Sequence, residues 1–210
     1  MPSDGPAVSE ESSGASTGER SAAAEYPEEL ECDVTDVRGT SLHLRPIRAD
    51  DADRLVTFHS HLSPDSIYRR YFASHPLLSP TEVSHLTQVD YQERLALIIL
   101  DGEEIVAVGR YDEVPPGATA EVAFLVRDDF QRRGLGRILL NKLASAAWSR
   151  GLTSFSAVTM SENRGMISVF EHCGYPVTLS ADGEERYVTF PIDPAMRTSV
   201  AKGPDQPGAR

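Results

Sequence analysis

Gln131-Arg132-Arg133-Gly134-Leu135-Gly136-Arg137 joins two stretches of different period. Before it, Ala118 to Val126 reads as a strand, with an apolar run from Val122. After it, Leu135, Ile138, Leu139, Leu143, Ala146 and Ala147 recur at three and four, which predicts a helix from Gly134 to Arg150 with Gly151 as its C-cap. The first N–H groups of such a helix lack intrahelical partners, and its macrodipole is positive there. They can hold a phosphate where no side chain intervenes, which glycines at 134 and 136 allow, and Arg132, Arg133 and Arg137 add charge. A nucleotide-binding P-loop would carry Lys and then Ser or Thr after its last glycine, but Arg137 and Ile138 follow here. A dinucleotide fold would place the turn after the first strand of a parallel sheet. The plainer alternative is a helix start whose glycines serve tight packing.

Working outward, Ser41 to Ile47 alternates as a half-buried strand, and Asp50 to His61 has helical spacing. Ser63-Pro64 and Ser79-Pro80-Thr81-Glu82 are N-cap signatures for helices running to about Phe72 and Val89. Leu95 to Leu100 and Ile105 to Tyr111 are strands about an Asp101-Gly102 turn, and Pro115-Pro116-Gly117 breaks the chain before the third. Phe155 to Thr159 is a strand, Asn163 to His172 a helix ended near Gly174, and Glu185 to Phe190 a last strand. The order predicts a single α/β (α+β) domain with a mixed, mostly antiparallel sheet flanked by helices.

The net charge of −12 is uneven: residues 1–38 hold ten acidic and two basic side chains, net −8, leaving −4 for the rest. That balance excludes nucleic acid as the main partner. The boundaries expected from composition are an acidic, largely disordered tail over 1–38, a folded domain over 39–192 and a second disordered tail over 193–210. No apolar run approaches the roughly 20 residues that span a bilayer, and the N-terminus lacks a signal peptide's basic start and apolar stretch. Two distant cysteines, Cys32 and Cys173, give no disulfide framework and fit a reducing cytoplasm.

Asn163-Arg164-Gly165-Met166-Ile167-Ser168-Val169-Phe170-Glu171-His172-Cys173-Gly174-Tyr175 narrows the phosphate reading. Together with Ala120 to Arg150, it resembles the GNAT N-acetyltransferases, whose core runs strand, Gln/Arg-x-x-Gly-x-Gly, helix, strand, then an Asn-initiated helix closing on Gly-Phe or Gly-Tyr. The resemblance covers Leu42 to Pro191 and implies a splayed sheet holding acetyl-CoA, as acyl donor and without a metal, between two central strands. It implies that backbone groups of Phe124, Leu125 and Val126 meet the pantetheine arm. The amides from Gln131 to Gly136 would meet the pyrophosphate, Asn163 would reach the cofactor by its side chain, and Met166 and Phe170 would line the thioester end. Leu44 to Arg48, Leu62 to Phe72 and Thr87 to Tyr91 look like the acetyltransferase domain of bacterial protein lysine acetyltransferases, which inactivate acyl-CoA synthetases, acetyl-CoA synthetase among them. Several of those carry a fused regulatory domain, for which room is not expected in 210 residues.

An ammonium has no free lone pair, and a partly buried carboxylate on the central strand can take its proton directly or through a water. Glu121 stands where the similar enzymes keep their catalytic glutamate; a strand glutamate by itself reads more often as a solvent-facing residue, and the apolar strand and the resemblance favour the base. Many GNAT enzymes protonate the departing thiolate with a tyrosine four residues before the closing glycine; Phe170 stands there, so solvent is expected to serve. His172, Cys173 and Tyr175 read as packing or surface residues. Tyr68, Arg69, Arg70, Tyr71 and Phe72 form the acceptor-side candidate, a pattern also fitting a core stripe, and Asp90 and Tyr91 share that ambiguity. His59, His61, His75 and His85 lack the spacing of a metal site. The expectation is an acetyl-CoA-dependent N-acetyltransferase acting on a protein lysine. A small-amine acetyltransferase and a non-catalytic acyl-CoA sensor are the alternatives, and oligomeric state is left open.

Overall fold

Residues 25–198, apart from 76 and 116, are described by a computed structural model. The disorder expected of residues 1–24 and 199–210 lies outside the described residues. The chain forms β1 (Cys32–Thr35), β2 (Ser41–Pro46), α1 (Ala52–Ser60), α2 (Pro64–Tyr71), α3 (Pro80–Thr87), β3 (Arg94–Asp101), β4 (Glu104–Glu113), β5 (Thr119–Val126), α4 (Leu135–Ser149), β6 (Ser154–Met160), α5 (Arg164–Glu171), β7 (Thr178–Asp182) and β8 (Glu185–Pro191). One sheet takes all eight strands in the order β1-β2-β3-β4-β5-β6-β8-β7. Among the described residues only one neighbouring pair, β5 with β6, is parallel. The expected single α/β domain with a mixed, mostly antiparallel sheet is therefore what forms.

Period-two geometry explains why β3 reads as an unbroken apolar run. Leu95, Leu97 and Ile99 point into the core shared with α4, while Ala96, Ile98 and Leu100 point into the core shared with α1 and α2. Both faces are covered, so every position is apolar. The helices start where their caps say. Ser63 Oγ accepts from Ser66 N–H at 3.2 Å, and Ser79 and Glu82 exchange the two bonds of a capping box. Below α1, the Arg45 guanidinium grips Asp51 with both nitrogens, at 2.6 and 2.7 Å, and both side chains are buried. No helix among the described residues is long and apolar enough to cross a membrane.

Two strands escaped the sequence pattern. β1 falls inside the stretch assigned to the acidic tail, yet it pairs with β2 from Cys32↔Leu44 to Thr35↔Ser41. Tyr26, Leu30, Cys32 and Val34 pack on the core, so the folded part starts well before residue 39. Charge masked the signal: Asp33 and Thr35 face solvent while Cys32 and Val34 alternate inward. β7 is exposed along its whole length, and its apolar alternation is only two residues deep, Leu179 and Ala181. At the other end, residues 193–198 also hold structure: a short turn covers Pro194–Met196, and Thr198 N–H donates to the Gly174 carbonyl at 2.8 Å.

Candidate active site

The site is built where the sheet comes apart. β5 and β6 pair at Thr119↔Ser154, Ala120↔Phe155 and Glu121↔Ser156, and no further. Beyond that fork, β5 follows β4 as far as Val126, while β6 follows β8 to Met160. The facing edges from residues 122 and 157 onward have no strand partner, so their backbone N–H and C=O groups are offered to whatever fills the gap. The gap is a cavity of about 630 Å³, closed at one side by the start of α4 and at the other by α5.

Every residue singled out from sequence for donor binding or catalysis lines this cavity except Arg133. The turn before α4 is held open from both sides. Gly134 adopts φ +82°, and a Cβ there would stand 3.1 Å from Val37 Cγ1; at Gly136 a Cβ would stand 3.3 Å from Val169 Cγ2 on α5. α2, α3 and α5 are capped by the side chains of Ser63, Ser79 and Asn163, whereas α4 starts on Gly134 with no capping side chain. Its first N–H groups thus stay free for an anion, at the positive end of a 15-residue helix. Arg132 and Arg137 are exposed at the rim, and neither forms an ion pair among the described residues.

Arg133 departs from the sequence expectation. Its guanidinium lies 4.1 Å from the centroid of the Phe130 ring, and Nη1 is 3.5 Å from Oδ2 of buried Asp36. Its carbonyl accepts the Val37 N–H at 3.1 Å. Burial pushes the Asp36 carboxyl up, but the N–H groups of Thr40 and Arg38 and the Arg133 charge outweigh that and hold it below the ordinary carboxylate value. The β1–β2 turn therefore braces the turn before α4 from outside, which composition alone hid because Asp36 counted as one more tail acid. Gln131 has a similar inward role: its side-chain amide donates to Ser66 Oγ at 3.0 Å and to the Val126 carbonyl at 3.2 Å. Asp128 completes the tie by accepting from Ser63 N–H, Ser63 Oγ and Ser66 Oγ at 2.8 to 2.9 Å, fastening the start of α2 to the turn.

Asn163 spends one side-chain atom on local structure. Its Oδ1 accepts the Met166 N–H at 3.2 Å, leaving the amide N–H₂ for the cavity. Phe170 is buried, with its ring 6.2 Å from Phe124 and 6.0 Å from Phe190, so it forms the cavity's apolar end and offers no proton. Burial pushes the Cys173 thiol up, and burial likewise raises Tyr175, whose ring stacks on Phe190; both pack as expected.

Glu121 stands at the fork itself, and it is exposed rather than partly buried as expected. No hydrogen bond or ion pair engages its carboxylate among the described residues, so it is free to meet an incoming amine. Arg69, Arg70 and Phe72 at the end of α2 line the same cavity. Tyr71 turns away, its ring 4.5 Å from His75 and 5.9 Å from His59. Asp90 and Tyr91 are not in the site: Asp90 Oδ1 accepts the N–H groups of Gln92 and Arg94, and Tyr91 donates to the Ile47 carbonyl at 2.8 Å. Among the described residues no three His, Cys, Asp or Glu side chains gather as a metal site requires.

Comparison with known proteins agrees with this geometry. The model of the acetyltransferase (GNAT) family matches residues 64–175. The GNAT domain of Streptomyces lividans PAT superposes with a TM-score of 0.75 at 38% identity, over 80% of this chain and 99% of that one. The acetyltransferase Pat of Mycolicibacterium smegmatis is 30% identical over 141 residues, 65% of this chain, and the match spans only 41% of that relative's length. A Salmonella typhimurium structure with its cofactor acetyl-CoA has a TM-score of 0.57 over 71% of this chain and 91% of that one; at 17% identity the likeness is of fold alone. With more than half of its residues matched by the family model, the chain belongs to the GNAT acetyltransferase family.

Proposed function

We propose that the protein transfers the acetyl group of acetyl-CoA to the side-chain amine of a protein lysine, with Glu121 as general base. The observation that carries this is the end of β5–β6 pairing at Glu121, which leaves a carboxylate at the head of a cleft edged by unpaired backbone. Acetyl-CoA supplies an activated acyl carbon on a tolerable leaving group. The uncapped N–H groups from Gly134 onward fit its pyrophosphate, and the free β5 edge from Val122 to Val126 fits the amides of its pantetheine arm. Asn163 donates its side-chain N–H₂ into the same cleft, and Met166 and Phe170 wall the thioester end.

In this reading Glu121 accepts a proton from the lysine ammonium, directly or through one water. The freed lone pair forms the new C–N bond as the C–S bond breaks, and the nitrogen then gives up its second proton to solvent to leave a neutral amide. The thiolate takes its proton from solvent, since Phe170 has no hydroxyl to give. The protein acceptor, with an acyl-CoA synthetase as the leading example, draws support from the likeness to the two proteins named Pat and from the Leu62 to Phe72 segment.

Incubation with acetyl-CoA and either acetyl-CoA synthetase or a panel of small amines, counting free thiol, tests the assignment. Release with the synthetase, and a mass increase of one acetyl group on a lysine, is expected. Release only with small amines would move the acceptor to that class, and binding of acetyl-CoA without release to any acceptor would make the protein a sensor.

A further inference from the structure

Beside the main cleft, β4 and the helices above it enclose a second cavity of about 30 Å³. Leu55, Phe58, Leu86 and Val108 give it apolar walls, and Arg70 and Arg110 enter it. Arg70, Ala123, Phe124 and Leu125 border both cavities, so the small one adjoins the large one along β5. Arg110 is only 8% exposed. Burial lowers its pKa to about 10, which still leaves it charged at neutral pH.

Among the described residues that charge lacks an ion-pair partner. Among the described residues the Arg110 side chain makes one hydrogen bond, from Nη2 to the Leu86 carbonyl at 2.8 Å in the last turn of α3. Nearby Asp112 is taken by Arg94 at 2.8 Å. Arg70 is half-buried, forms no ion pair among the described residues, and its charge opposes that of Arg110. A helix C-terminus accounts for one of the five N–H donors of a guanidinium, and two unpaired cations beside a cavity are unfavourable until an anion arrives. Strand register fixes the location: Arg110 faces Ala123 and Asp112 faces Glu121, so Arg110 lies one diagonal from Glu121 on the same sheet face, about 7–8 Å away.

We propose that Arg70 and Arg110 form a carboxylate-binding subsite beside Glu121, for a carboxylate carried by the acceptor or by the far end of an acyl chain. The cavity's size is that of one small polar group, comparable to a single water's share of liquid volume, and not that of a long alkyl chain. The planar guanidinium fork matches a carboxylate, and the apolar walls strengthen the pairing. The subsite rests on the proposed acyl transfer only for what its neighbour Glu121 does.

Calorimetric titration of the full chain with glutarate, with no acyl-CoA present, is the test, and glutaramide is its uncharged counterpart. Glutarate is expected to bind wild type, glutaramide not to, and R70Q and R110Q to bind glutarate about tenfold or more weakly. If R110Q does not fold, R70Q and the charge-retaining R110K carry the comparison, with R110K intermediate. No glutarate binding to wild type, equal binding by glutaramide, or unchanged affinity in R70Q overturns the subsite. Glutarate inhibition of thiol release then distinguishes the sources: competition with acetyl-CoA assigns the carboxylate to the acyl chain, and competition with the acceptor assigns it to the acceptor. A protein that binds glutarate through these arginines but transfers no acetyl group would overturn the proposed function and leave the subsite standing.

Discussion

Replacing Glu121 by glutamine removes the proposed base and almost nothing else. The side chain is exposed, touches no partner among the described residues, and lies across the strand from Asp112, which Arg94 already neutralises. The substitution breaks no contact, so stability stays within about 0.5 kcal/mol of wild type. Acetyl-CoA affinity is also retained, because the proposed pyrophosphate site lies further along the chain, from Gln131 to the Gly134 start of α4. The rate is different. A positioned general base contributes about 10²–10⁴-fold, or roughly 2.7–5.4 kcal/mol of barrier at 1.36 per tenfold. At pH 7 only about one lysine in 2,500 is neutral, given an ordinary pKa near 10.4. The residual E121Q rate should therefore climb about tenfold per pH unit, and the gap from wild type should narrow towards pH 10. Initial rates of thiol release at saturating acetyl-CoA, measured from pH 6.5 to 9.5 on folded protein, check both points. An E121Q turnover within a few-fold of wild type at pH 7 refutes the base assignment, and a constant ratio across pH refutes the proton-transfer role.

Other consequences are less coupled. Gly134→Ala forces a left-handed backbone at about 1–2 kcal/mol and drives a Cβ toward Val37, so acetyl-CoA binding by calorimetry should weaken about tenfold or more. Asp51→Ala leaves the Arg45 charge buried without a partner and should cost about 3–5 kcal/mol in urea unfolding. Burial raises Asp51, but the Arg45 and Arg48 donors hold its folded pKa below the ordinary value. Its contribution is therefore present above about pH 4 and disappears as pH falls through the folded pKa, so wild type should lose stability in that acid window more steeply than Asp51→Ala. Ser63→Ala removes the α2 cap and a donor to Asp128, costing about 0.5–2 kcal/mol by denaturation.

What the sequence determined by itself was local. The Ser63 and Ser79 caps, the period of α4 and the apolar run of β3 are each set by near neighbours in the chain, so they are legible without coordinates. The glycine turn into α4 was legible for the same reason, since a helix start carries its unpaired N–H groups wherever it is placed. Tertiary structure decided what depends on distant partners. It put β1, part of a nominally acidic tail, against that turn and turned Arg133 back to Asp36, because burial gives a charge a partner that composition cannot name. It left Glu121 open to solvent at the fork between β5 and β6, where the expectation of a catalytic base had called for partial burial. It also set Arg110 beside Arg70, residues from a strand and a helix that chain order keeps forty positions apart. Side-chain pairing across a sheet and between layers is fixed by register and packing, and neither is written in the spacing of any one segment.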